Sequence, residues 1–479
     1  MAFDSFIFIY YFVPVMILLL AFVREKWRSI ALLSLSLLFY YYGTGLHVLT
    51  MLGMASANYY GAAFIRAHDD GKQRKRVLIL LISLNLAILA FFKYSGFIIE
   101  NLNIILLLLG QSPIVYEKKV LIPLGISFIT FHNVSLIVDV YRKSAPDKPG
   151  LMQTLNYIFA FPKIIAGPVL RFEEYIKTGW GCEIGPESFV RGMRIFIIGL
   201  AKKSIIANTL GGTADMVFSI PSDSLTVLMS WCGIFAYTMQ LYFDFSGYSD
   251  MAVGIAKVVG LNLPENFNYP YTASSIRDFW RRWHMTMTGF FMNYLYIPLG
   301  GNRAGKARTY ANLYIVFFVT GLWHGANWTF IVWGLYHGTL MVFERFGFGK
   351  RLDSIWKPLR HLYVILAIMI GWVFFRSSDI GSAVEYLKCM FGAGWVTEEM
   401  SPIAMVVDRE FVCASCLAII GSSRLMKNMV SMIDLKFSRK KHLSLLKEVV
   451  GFVILILTLL ISSIYIAAGT NAPFIYQNF

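Results

Sequence analysis

YTASSIRDFWRRWHMTMTGFFMNYLYIPLGGNRAGKARTYANLYIVFFVTGLWHGANWTFIVWGLYHG, residues 271–338, decides how the chain is to be read. A cationic, aromatic-rich stretch runs here into apolar sequence and sets His284 and His324 forty residues apart. Ionisable and imidazole side chains are costly at membrane depth, so inside a lipid-soluble chain they read first as functional groups.

The rest of the sequence is lipid-soluble. Of 479 residues, 57% are hydrophobic, 16% aromatic and only 15% charged, where soluble domains carry about 25% charged residues. Mean hydropathy is +0.59. Apolar runs recur at 5–23, 30–44, 77–98, 120–140, 193–210, 225–243, 311–323, 327–343, 359–375, 402–420 and 449–468. Each approaches the roughly 17–25 residues that a helix needs to cross the hydrocarbon. The expected fold is an all-α polytopic membrane protein with about ten to twelve transmembrane helices. It forms a single integral-membrane domain, 1–479, with no soluble domain.

Charge gives an orientation. Residues 5–23 are preceded only by Asp4 and followed by Arg24, Lys26 and Arg28. A cleaved signal has the opposite order, so this segment reads as a retained helix with its N-terminus outside. The basic loops 24–28, 72–76, 301–308, 345–360 and 424–447 then face the cytoplasm. A net charge of +15 accordingly suits contact with anionic membrane lipid, and no nucleic acid is expected as a partner. On this topology the span 449–468 runs outward and leaves the tail 469–479 outside.

The segment 264–284 is too polar to span lipid. Irregular backbone at depth survives only where it is buried in protein or lines a cavity, so it is read as re-entrant. Residues 285–300 read as a half-span or an interfacial helix. In 239–254, Asp244 and Asp250 flank Gly247. They suggest an ion path, or a structural pair with Arg277, Arg281 or Arg282, and Gly247 would let the helix break.

Among the eight histidines, His68, His361 and His442 read as solvated loop residues and His47 as interfacial. His324 precedes Gly325, whose missing side chain would let backbone or ligand approach the imidazole. A neutral imidazole in a dry site can take a proton near neutral pH; a buried, hydrogen-bonded histidine is the other reading. Asn327 follows as a candidate binding residue. His337, thirteen residues on, either shares the cavity or serves helix packing. His284 either belongs to the site or holds the interface beside Arg281 and Arg282. Cys413 and Cys416 lack partner ligands and read as packing. With no zinc-ligand spacing, Walker loop or dinucleotide fingerprint, neither a metal nor a bound cofactor is expected.

Three linked stretches, DFSGYSDMAVGIAKVVGLNLPENFNYPY, RDFWRRWHMTMTGFFMNYLYIPLGGNR and GLWHGANWTFIVWGLYHG, resemble the membrane-bound O-acyltransferase (MBOAT) superfamily. The resemblance is to its bacterial branch of alginate and peptidoglycan O-acetylases. It continues through FPKIIAGPVLRFEEY (161–175), PLGISFITFHNVSLIVDVYR (123–142) and GWVFFRSSDIGSAVEYL (371–387), and so covers most of 120–390. His132 departs from the glutamine expected in this branch.

The resemblance implies tilted helices in a ring around a central catalytic cavity. His324 matches the family's catalytic histidine and His284 its second site position. Implied too are a cytoplasmic thioester donor, acetyl-CoA or an acyl carrier, and an extracytoplasmic polysaccharide acceptor. The expected setting is the bacterial inner membrane, with an SGNH-type esterase-like partner outside. Arg277, Arg281, Arg282 and Arg303 are candidates for the donor's phosphates. The tail NAPFIYQNF resembles an aromatic C-terminal motif with a central tyrosine, which makes Tyr476 a candidate acyl relay; Gln477 stands where an aromatic is expected. The alternatives are D-alanyl transfer to teichoic acid, or a transporter or flippase.

Overall fold

A computed structural model describes residues 2–115, 121–145, 150–165, 167–178, 185–392, 403–437, 441–469 and 474–475. The described residues are mostly helical, without a strand, and a helix occupies each of the apolar runs. Five are long and apolar enough to cross a membrane: His47–Ala67, Gly71–Leu108, Pro186–Ser219, Lys357–Arg376 and Leu445–Ala467. Phe8–Phe22 and Ile126–Tyr141 are shorter apolar helices. The others that match expected spans are short or carry polar side chains, as helices enclosed by protein are free to do. The protein is an all-α polytopic membrane protein.

The elements that matter here are α1 (His47–Ala67), α2 (Gly71–Leu108), α3 (Ile126–Tyr141), α4 (Pro186–Ala201), α5 (Asn208–Ser219), α6 (Val227–Val258), α7 (Lys306–His324), α8 (Trp328–Phe343) and α9 (Lys357–Arg376). Helix α6 is almost wholly buried and packs against α4, α5 and α9. It does not break at Gly247. Glycines instead let it meet α4 backbone to backbone: a Cβ on Gly247 would stand 2.7 Å from the Gly199 carbonyl, and one on Gly254 2.6 Å from that of Gly192. Close approach at small residues is how helices associate where no hydrophobic drive separates them from lipid.

The same device joins α7 to α8. A Cβ on Gly334 would lie 2.3 Å from the Phe317 carbonyl, and one on Gly321 2.3 Å from that of Phe330. Helix α2 runs along the outside, with Leu80 67% and Phe91 59% exposed, as a lipid-facing surface must be.

Segment 264–284 is irregular and buried in protein. It doubles back on itself: the Asn268 amide donates to the Arg282 carbonyl and the Met285 amide to the Asn266 carbonyl, both at 2.9 Å. Residues 285–296 form two short helical turns, Met285–Phe291 and Met292–Tyr296.

Candidate active site

Helix α7 ends at His324 because Gly325 leaves in extended conformation (φ −173°) and Asn327 begins the next helix. The absent Gly325 side chain makes room for Phe330, whose ring a Cβ would meet at 2.2 Å, rather than for a ligand. His324 is thereby buried against Trp333, with ring centroids 4.9 Å apart and planes at 90°, and against Phe375 at 5.2 Å.

His284 reaches the same place from the irregular segment. Its backbone is left-handed (φ 44°, ψ 52°), a conformation that non-glycine residues seldom adopt and that clusters at functional sites. Asn266 holds it there. The Asn266 Oδ1 accepts from the Thr286 amide at 3.3 Å and the Thr286 hydroxyl at 2.9 Å, and lies 3.0 Å from His284 Nδ1. An oxygen that takes the Thr286 amide proton is an acceptor toward the imidazole also, so Nδ1 carries the hydrogen and Nε2 the lone pair. That Nε2 is buried with no hydrogen-bond partner among the described residues.

Both imidazoles pack against the indole of Trp323, at 4.9 Å for His324 and 6.0 Å for His284. Phe245 of α6 covers His284 edge-on at 4.7 Å. Helices from distant parts of the sequence thus surround the pair: α2, α3, α6, α7, α8 and α9.

His337 lies one indole further from His324, 5.2 Å from both Trp333 and Trp280. It is buried with both ring nitrogens lacking partners among the described residues, so it adjoins the site without touching His324. Asn327 does not face the site. Its Oδ1 accepts from the Thr329 amide and its Nδ2 donates to the Ser378 carbonyl, the work of a helix cap.

Neither aspartate pairs with the arginines. Asp250 binds Lys202 at 2.6 Å, half-buried, and Asp244 binds Lys203 at 2.6 Å in full burial. Both lysines come from the chain just after α4, which crosses α6 at this level. The other oxygen of Asp244 accepts the amide of Ile475 at 2.9 Å, and Phe474 stacks on Tyr248 at 4.3 Å. The C-terminal segment therefore reaches into the core beside Phe245; Tyr476 lies outside the described residues.

A cleft of about 210 Å³ opens between α7, α8 and the turns of 276–296. Arg277 and Arg345 line it, and its wall includes Trp280, Phe317 and Thr320. Thr320 is one turn before His324, and Trp280 packs against Trp333 at 5.7 Å, so the cleft ends beside the ring contacts of His324. Of the four arginines expected for phosphate, only Arg277 lines it. Arg282 is held by Asp278 at 2.9 Å, and Arg281 and Arg303 are exposed elsewhere.

Sequence reasoning missed four residues. Arg345 and Asn266 stand in polar segments with nothing to distinguish them. Glu344 is buried and accepts the amides of Ile276 at 2.6 Å and Arg277 at 3.1 Å, fixing the turn that bears Arg277. Lys93, within the apolar run 77–98, donates to the Trp323 carbonyl; a lone charge in a membrane helix was the available signal. His361, read as solvated, is half-buried in α9 and bonded to the Ala273 carbonyl at 2.7 Å.

Comparison with known proteins gives the family. The profile of the membrane-bound O-acyltransferase family matches residues 35–375. The chain is 38% identical to the probable alginate O-acetylase AlgI of Pseudomonas aeruginosa, over 84% of this chain and 77% of that one. It is 32% identical to the peptidoglycan O-acetyltransferase of Helicobacter pylori, over 100% of this chain and 97% of that one. A teichoic acid D-alanyltransferase of Bacillus subtilis aligns over only 52% of this chain, at 30% identity. With two buried imidazoles converging on one indole inside a helical membrane protein, the chain belongs to the membrane-bound O-acyltransferase family and is an O-acyltransferase.

Proposed function

We propose that the protein moves an acetyl group from a cytoplasmic thioester, acetyl-CoA or an acyl carrier, toward a hydroxyl of an extracytoplasmic polysaccharide at a bacterial inner membrane. The observation that carries this reading is the meeting of His324 and His284 over Trp323 at the end of a cleft rimmed by Arg277 and Arg345. Similarity to O-acetylases over 84% and 100% of this chain, against 52% for the D-alanyltransferase, favours acetate over D-alanine. Alginate and peptidoglycan are both compatible acceptors, presented by an esterase-like partner of the SGNH type.

In this reading the donor's phosphates meet Arg277 and Arg345, for which planar guanidinium groups are suited. The thioester end lies along Trp280 and Thr320. His324 takes the proton of the incoming hydroxyl as its oxygen attacks the acetyl carbon. The new C–O bond forms, the C–S bond breaks, and the proton passes from His324 to the departing sulfur. General-base catalysis of this kind contributes about 10²–10⁴ in rate. His284, beside His324 across the Trp323 ring, orients a substrate or intermediate while His324 alone takes the hydroxyl proton.

Tyr476 is the candidate first acceptor. The preceding Ile475 is bonded to Asp244, and Phe474 lies 6.1 Å from Phe245, whose ring packs edge-on against His284. A phenyl ester is a better acyl donor than a sugar ester because the phenol, with a pKa of about 10, is the better leaving group.

The test is transfer of radiolabelled acetyl from acetyl-CoA by purified protein with partner. His324→Ala is expected to abolish it at normal membrane abundance, and near-normal activity would sink the assignment. Uptake into sealed vesicles without covalent acetylation would point instead to a transporter. Tyr476→Phe, which deletes one oxygen, is expected to block transfer to the outside partner; normal transfer would make the tail a structural contact only.

A further inference from the structure

Lys93 is the one basic or acidic residue in the apolar run 77–98. Its neighbour Phe91 faces lipid, yet Lys93 turns inward and is buried. An ammonium placed there at such cost needs a compensating role. Its Nζ donates to the carbonyl of Trp323 and lies 5.6 Å over the Trp323 ring. Tyr94 donates to the adjacent carbonyl of Leu322 at 2.9 Å. These two side chains of α2 take up carbonyls in the last turn of α7, which that helix leaves without amide partners. No carboxylate forms an ion pair with Lys93 among the described residues, so its charge is not neutralised by a neighbour.

We infer that Lys93 is a positioning residue of the transfer site: its ammonium fixes the turn carrying His324 and sets a positive charge beside that imidazole. The inference rests on the reading of His324 as the base. Among the described residues, the groups around His324 include the following. Helix α2 contributes Lys93, and the irregular segment contributes His284. Helices α8 and α9 offer the uncharged rings of Trp333 and Phe375, and α3 offers Phe128 and Phe131 against Trp323.

A cation beside a base opposes its protonation. Once His324 has taken the hydroxyl proton, the imidazolium stands next to an ammonium, and the pair favours handing the proton on to the departing sulfur. Lys93 neither gains nor loses a proton in that step.

The experiment measures the pH dependence of kcat/KM for acetyl transfer by full-length protein with partner, using Lys93→Met, Lys93→Arg and Tyr94→Phe. Without the cation the imidazole protonates more readily. In Lys93→Met the acid limb is therefore expected to move to higher pH by on the order of one unit, with kcat down roughly tenfold. Lys93→Arg keeps the charge and is expected to keep the limb in place. Tyr94→Phe removes the parallel bond but not the charge, and its limb should not move. Membrane abundance and melting in detergent report folding separately.

An unmoved limb in Lys93→Met, or an equal shift in Tyr94→Phe, would overturn the inference, as would equal losses in the Met and Arg variants. Should His324→Ala itself retain activity, the functional reading fails first, and the two failures are distinguishable.

Discussion

Asn266 shows how a residue with no chemistry of its own governs the site. One amide oxygen takes the Thr286 amide, the Thr286 hydroxyl and His284 Nδ1, and so sets both the tautomer and the left-handed backbone of His284. Asn266→Ala removes all three bonds. It is expected to lower kcat by about 10²-fold, the usual effect of misplacing a reacting group by an ångström, with abundance little changed. Steady-state kinetics in membranes check this; a kcat within twofold of wild type would make Asn266 incidental. His324 was legible in the sequence because imidazole at the end of an apolar run is rare, and His284 because the motif around it resembled a known family. Asn266 was not, because an amide in a polar segment looks like any loop residue until the fold brings it to the imidazole. Lys93 was legible in principle, but hydropathy averaged over 77–98 conceals one charge among apolar neighbours.

Helix α6 corrects a reading made one residue at a time. A glycine between two aspartates suggested a break, yet the helix continues from Val227 to Val258. Gly247 and Gly254, seven residues apart, face Gly199 and Gly192, also seven apart, so two turns of each helix meet without side chains between them. The period was present in the sequence, but it gains meaning only when both helices are known to cross. Gly247→Ala puts a methyl group 2.7 Å from a backbone oxygen that cannot yield. Overpacking of this kind costs about 1–3 kcal/mol, so the expected result is a lower melting temperature in detergent. Gly53→Ala in α1 meets nothing within 4 Å and should melt no lower than wild type, since alanine is the better helix former. Equal melting of the two variants would mean that α4 and α6 are not in contact at that point.

Both ends of the described chain converge on a single ring. Phe3 stacks on Tyr248 at 4.8 Å, and Phe474 stacks on the same ring at 4.3 Å. Asp244 of the buried Lys203–Asp244 pair accepts the Ile475 amide, and Asp4, next to Phe3, is buried too. An ion pair taken out of water is weak support for stability, but a carboxylate that also accepts a backbone amide fixes where that backbone lies. The sequence showed two carboxylates at depth and, separately, an aromatic tail; only the packing of the whole molecule joins them and turns an ion path into a seat. The seat makes a measurable claim. Carboxypeptidase can remove Ile475 and Phe474 only while these two residues are unseated, so their trimming, followed by intact-mass spectrometry, reports the open population. Phe474→Ala deletes the ring that stacks on Tyr248, and loss of a buried aromatic contact worth about 1.5–3 kcal/mol raises that population by roughly tenfold or more. Trimming of this variant is therefore expected to accelerate by that factor, with the melting temperature of the helical body little changed. Transfer to the outside partner should fall in step if Tyr476 must be held near His284 to act. Trimming at an unchanged rate would show that the tail is not seated there, and acceleration with undiminished transfer would separate the seat from the chemistry.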